Sequence, residues 1–111
     1  MIARIWHGRV PASKGDAYYA YLLETGVPEY AATPGNKGVQ VLRMTEDGVT
    51  HFLLLTLWDS VAAIKRFAGE DYASAKYYPA DDEFLLEREA RVQHFEVLAS
   101  WGDVADAGDA G

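Results

Sequence analysis

Val39-Gln40-Val41-Leu42-Arg43-Met44-Thr45, followed by Glu46-Asp47-Gly48 and then Val49-Thr50-His51-Phe52-Leu53-Leu54-Leu55-Thr56-Leu57-Trp58, is the stretch that decides the fold. Two runs of β-branched and large apolar residues flank a short connection that contains Asp-Gly, the dipeptide best able to supply the positive φ angles of a tight hairpin turn. The stretch predicts two antiparallel strands. Leu53, Leu54, Leu55 and Leu57 make both faces of the second strand apolar, whereas a strand with one solvated face alternates. Both faces of the sheet therefore need cover. In a chain this short, helices can supply one cover, and a second copy packed sheet to sheet with two-fold symmetry supplies the other.

Working outward, Ile2 to Val10 reads as a first strand stopped by Pro11. Ser13, with Asp16 three residues on, has the spacing of a helix cap, and Tyr18, Tyr21, Leu22 and Thr25 share one helical face before Gly26. Val27 to Ala32 adds a short turn, and 33–38 is a loop. Beyond the hairpin, Asp59 or Ser60 caps a second helix carrying Val61, Ile64, Phe67 and Ala68 on one face, and Gly69 ends it. Asp71 to Tyr78 is expected to form a brief helical piece stopped by Pro79, Asp81 to Glu87 a further turn, and Arg91 to Leu98 a last strand.

The order strand, helix, strand, strand, helix, strand is that of an α+β ferredoxin-like plait, one antiparallel sheet with helices on one face and spatial strand order four-one-three-two. Residues 1–100 are read as one domain and 101–111 as a flexible acidic tail without apolar periodicity.

Composition narrows the chemistry. The net charge of −7 disfavours nucleic acid and anionic membrane surfaces as partners, and no segment approaches membrane-spanning length, so a cytoplasmic protein is expected. The absence of cysteine excludes disulfides, thiolate metal sites and a cysteine nucleophile. No phosphate-cradling loop, nucleophile elbow or dinucleotide fingerprint is present, so hydrolase, kinase and nicotinamide readings find no support.

What remains is a set of aromatic and histidine side chains. Trp58, Phe67, Tyr72, Tyr77 and Tyr78 gather where helices meet the sheet, either as core or as the wall of a pocket for a flat ligand. Adjacent residues cannot share a helix face, so one hydroxyl of the Tyr77-Tyr78 pair should look into a cleft or solvent. His7, His51 and His94 fall on neighbouring strands, which leaves a three-histidine metal site conceivable. His94 with Glu96 on the same side of its strand is the better candidate as a proton acceptor. Arg4, Arg9 and Arg43 read as solvated or paired with carboxylates.

Ile2-Ala3-Arg4-Ile5-Trp6, Leu57-Trp58-Asp59-Ser60, Ile64-Lys65-Arg66-Phe67-Ala68 and Val92-Gln93-His94-Phe95-Glu96-Val97 together resemble the antibiotic-biosynthesis-monooxygenase (ABM) domains of the dimeric α/β-barrel superfamily, over about residues 2 to 98. The resemblance implies a homodimer with a cleft in each protomer between sheet and helices. Some relatives oxidise polycyclic aromatics with oxygen and without metal or flavin, and others degrade haem. The haem-degrading branch carries a histidine late in the helical region, where this chain has the Phe67 to Tyr77 neighbourhood instead. The leading expectation is a cofactor-independent monooxygenase acting on a small aromatic substrate, with His94 as candidate base, Tyr77 as a second catalytic candidate, Trp58, Phe67, Tyr72 and Tyr78 contacting substrate, and no cofactor or metal. A non-catalytic dimeric module that binds a small apolar ligand is the alternative, and a haem- or metal-binding member the third.

Overall fold

A computed structural model describes residues 1–102. Four strands form one antiparallel sheet: β1 (Ile2–Pro11), β2 (Asn36–Glu46), β3 (Val49–Trp58) and β4 (Gln93–Glu96), in the spatial order β2-β3-β1-β4. Helices α1 (Gly15–Glu24), α2 (Gly26–Ala32) and α3 (Val61–Ala68) cover one face. This is the expected plait.

The hairpin forms for the reason its sequence gives. Asp47 (φ 52°) and Gly48 (φ 78°) both adopt the left-handed conformation that a two-residue connection between twisted strands requires, and Glu46 pairs with Val49 across it. Residues alternate along the central strands up to Leu57, which is buried together with its neighbours Thr56 and Trp58. Arg4, Trp6, Val10, Thr50, Phe52, Leu54, Thr56 and Trp58 are buried beneath the helices. Gly8 shares that face, and a Cβ there would meet the Trp6 ring at 2.4 Å, so the missing side chain makes room for the indole.

The other face carries Ile5, His7, Gln40, Leu42, Met44, His51, Leu53, Leu55 and Leu57; no helix of the described residues covers it, and only segments 89–91 and 97–101 lie along it, leaving Leu57 buried and much of the rest open. Leu42 and Met44 are 41% and 53% exposed. Both faces of β3 are thus apolar, as its leucine run implied.

Five local expectations need correction. Ser13 caps nothing: a 3-10 turn at Ala12–Lys14 leads straight into α1, supplying backbone acceptors in place of a side chain. Gly26 does not close the helical run but opens α2, whose first turn tolerates Pro28 because the amide that proline lacks would have no partner there. Asp71–Tyr78 is irregular rather than helical. Its backbone pairs with the returning chain through Ala75 N–H to the Ala90 carbonyl and Val92 N–H to the Ala73 carbonyl, both 2.9 Å, so tertiary pairing overrides local propensity. The expected turn at Asp81–Glu87 is a 3-10 segment at Pro79–Glu83, and the last strand shortens to Gln93–Glu96 because it pairs only with Ile2–Ile5. Ser60 caps α3 as expected, accepting from Ala63 N–H at 3.1 Å, and Gly69 (φ 85°) ends it. The acidic tail from Asp103 lies outside the described residues.

Candidate functional site

The space between the sheet and the helices is ringed by Trp6, Tyr18, Leu22, Gly26, Tyr30, Leu54, Lys76, Tyr78 and Asp81, and encloses about 10 Å³ of free volume. That is about the space of one water molecule. Its polar groups are tied to one another. Tyr18 donates to Asp81 Oδ1 at 2.9 Å, and Lys76 and Tyr78 both donate to the Glu29 carboxylate. Burial pushes the Tyr18 and Tyr78 phenols far up, and their carboxylate partners push them further, so both stay protonated. Burial also acts to raise Glu29, but the bonds from Lys76 and Tyr78 outweigh it and hold the carboxyl below its ordinary value.

At the β1–β4 side of this region Arg4 is fully buried. Its guanidinium donates to the Tyr30 hydroxyl at 3.3 Å and the Ser74 carbonyl at 3.4 Å and sits 5.4 Å from the Phe67 ring centre. His94 is its cross-strand neighbour, stands edge-on to Tyr72 with ring centres 5.1 Å apart, and has a buried Nε2 without a hydrogen-bond partner. Burial first, and the Arg4 charge second, hold the His94 pKa below the ordinary imidazole value. The ring is therefore neutral at neutral pH.

The aromatic residues singled out in the sequence divide into groups. Trp58 and Phe67 pack around Tyr30, which stacks on Phe67 at 4.3 Å, and Trp58 gives its indole N–H to Thr56. Both are interior residues behind the cleft. Tyr78 lines the cleft, and Tyr72 lies with His94. Tyr77 stands apart: its hydroxyl donates to the Glu89 carbonyl at 2.5 Å, and its ring meets Trp6 edge-on. Tyr18, Tyr30, Glu29, Lys76 and Asp81 were missed because each comes from a different segment and no local pattern links them.

The three histidines do not converge. His7 and His51 lie on the open sheet face, with His7 Nε2 3.0 Å from His51 Nδ1 and His7 Nδ1 2.5 Å from Glu89, whereas His94 faces the helices. Among the described residues no cluster of three or more histidine or acidic side chains could hold a metal, which removes the three-histidine site. Nor is any described helix long and apolar enough to cross a membrane.

No family model matches the sequence, and no curated protein is detectably similar to it. Solved structures are. A point mutant of MhuD with two manganese protoporphyrin IX molecules bound per active site is 22% identical, with 92% of this chain covering 99% of that one at a TM-score of 0.63. The haem degrader MhuD from Mycobacterium tuberculosis, with two haems bound, aligns at 22% identity over 92% of this chain and all of its own, with a TM-score of 0.62. Rv0793 from the same organism aligns at 15% identity over 92% and 100%, with a TM-score of 0.58.

The ferredoxin-like plait described above is the fold these structures share. At these identities the likeness establishes architecture, and the chemistry has to be argued from this chain's own residues. Haem is the test case. A pocket for a ligand that large needs roughly 300 Å³ or more, against about 10 Å³ in the space ringed by Trp6, Tyr18, Tyr30 and Tyr78 here. The tyrosines ringing that space spend their hydroxyls on Asp81, Glu29 and Arg4, and Lys76 is held by Glu29. In this arrangement the residues present do not fit a haem.

Proposed function

We propose that this protein is an oxygen-using oxidoreductase of the ABM type, acting as a homodimer on a small aromatic substrate bound between the sheet and the helices. The observation that carries this reading is His94: a half-buried imidazole whose buried Nε2 has no partner, beside Tyr72 and Arg4, and whose pKa burial and the Arg4 charge hold below the ordinary value. Such a ring nitrogen, shielded from water, suits a proton acceptor. Deprotonating an electron-rich aromatic leaves an anion able to pass electrons to oxygen without a redox cofactor. In the balanced reaction a ring CH2 becomes C=O by taking one oxygen atom, and the second leaves as water with both hydrogens from the substrate.

In this reading Tyr72 and Tyr78 contact the substrate, with Phe67 and Trp58 as rigid backing, a role supported by Tyr78 on the wall of the space and Tyr72 beside His94. The space ringed by Tyr18, Tyr30 and Tyr78 is also too small for a small aromatic as it stands, so binding requires the irregular segment 69–78 to move, exchanging its bonds from Lys76 and Tyr78 to Glu29 and its backbone pairings to residues 90–92 for contacts with the ligand. Tyr77, committed to the Glu89 carbonyl, acts as a positioning residue for that segment.

The homodimer is supported by the open sheet face. Leu42, Met44, Leu53 and Leu55 form an apolar surface with three hollows of about 260, 430 and 470 Å³, and Trp101, 80% exposed, lines one of them. A second copy covers such a surface with an identical one.

Oxygen uptake with a panel of hydroxylated polycyclic aromatics, without added flavin, nicotinamide or metal, tests the activity. Protein-dependent uptake is expected. Tight binding of one aromatic without any uptake would instead favour a non-catalytic binding module. A second reading, a haem-binding member, is favoured by the haem-bound neighbours of this fold and requires the cleft to open far beyond its present volume.

A further inference from the structure

Arg4 carries a charge that the fold itself leaves uncompensated. Arg9, Arg43, Arg88 and Arg91 each hold a carboxylate at the surface, on Glu87, Asp16, Asp82 and Asp71. Arg4, with none of its surface exposed, has no carboxylate partner among the described residues. Its partners are a phenol, a peptide carbonyl and the face of an aromatic ring, all neutral, and its Nε–H is left without an acceptor. An arginine remains protonated even when burial opposes it. A buried cation lacking an anion is among the costliest features a small core can carry, and apolar residues of similar size would serve packing better.

A second orphan stands opposite. His94 Nε2, also buried and unpartnered, belongs to the residue paired with Arg4 across the ladder. Two unsatisfied nitrogens on adjacent strands thus point to the helix-covered side of the sheet, and a third nitrogen of the pair, Arg4 Nη2, is held at 3.4 Å by the Ser74 carbonyl. Ser74 lies in the irregular segment 71–78 rather than on a helix or strand.

We infer that Arg4 and His94 form an oxyanion subsite, and that the ligand of this protein is an aromatic molecule bearing an ionised oxygen, a carboxylate or a phenolate. The inference rests on the cleft reading above and names its substrate class. The ligand's oxygen replaces the Ser74 carbonyl on the guanidinium and takes the free Nε–H, turning long neutral bonds into short charge-assisted ones. His94 Nε2 receives the proton of a ligand that arrives un-ionised. A neutral aromatic of the same shape gains none of this.

The test is equilibrium binding of naphthoate, naphthol and naphthalenemethanol at neutral pH, read by tryptophan fluorescence and thermal shift. Naphthoate is expected to bind about tenfold or more tightly than naphthalenemethanol and to raise the melting temperature when the alcohol does not. Naphthol is expected to show the naphtholate absorption band when bound if phenolates are the natural class, and not if only carboxylates are. Arg4→Met should erase the preference for naphthoate. Equal binding of naphthoate and naphthalenemethanol by the wild-type protein, or a preference that survives Arg4→Met, overturns the subsite while leaving an aromatic cleft in place. Failure of all three to bind overturns the cleft reading and the subsite together. Should Arg4→Met not fold, the wild-type preference decides by itself.

Discussion

Arg4 and His94 stand directly opposite each other in the β1–β4 ladder, on the face of the sheet that the helices cover, and each keeps a buried nitrogen without a partner. The guanidinium charge helps lower the imidazole pKa, so one residue supplies fixed positive charge and the other an unpartnered ring nitrogen. The pairing also separates His94 from His7 and His51, which occupy the opposite face.

If His94 is the base, His94→Ala should slow protein-dependent oxygen uptake by about a hundredfold or more. Because its folded pKa lies below the ordinary imidazole value, activity should hold down to pH values where a solvated histidine is already charged and fall as pH drops through the lowered pKa. A pH–rate profile checks this. Unchanged activity in the variant would leave the cleft without its base.

Light scattering at micromolar concentration should give about twice 12.3 kDa. Leu53→Asp and Leu55→Asp place a charge on the open face and should yield a folded monomer. Leu54→Asp, at a position 3% exposed beneath the helices, should abolish folding instead. A wild-type monomer at every concentration would sink the dimer.

Tyr18, Tyr30, Tyr77 and Tyr78 all have phenols raised by burial. Their folded pKa values lie above the unfolded value of about 10, so the stability they contribute is complete below that pH and is lost as pH climbs past it. Alkaline titration followed at the phenolate band should show these four of the seven tyrosines ionising only as the protein unfolds. Gradual ionisation of all seven in the folded state would contradict the burial described here.

Ser60→Ala removes the side-chain cap of α3 and should cost about 1 kcal/mol in urea denaturation. Ser13→Ala should cost almost nothing, because Ser13 is exposed and caps no helix.

Haem titration should give no saturable one-to-one complex with a sharp ligand-field spectrum, since the space between sheet and helices is filled and its hydroxyls are engaged. Such a complex would move the protein to the haem-binding reading.

The sequence by itself determined the plait. Asp47-Gly48 set the hairpin register, the leucines of β3 declared two apolar faces, and Ser60 and Gly69 bounded α3, because turn conformation, strand alternation and capping depend on residues close together in the chain. The segment Asp71–Tyr78 misled for the converse reason: the backbone bonds that replaced its expected helical ones are made with Ala90 and Val92, nearby in space, while at Ser13 a local 3-10 turn took the place of the expected cap. The candidate site was legible only in fragments. His94 and the aromatics could be named, but a strand arginine is ordinarily solvated, and nothing around Arg4 in the chain says that it is buried among Tyr30, Phe67 and Ser74. Whether a charge meets water, a carboxylate or neither depends on which distant segments fold over it, and that only the tertiary structure decided.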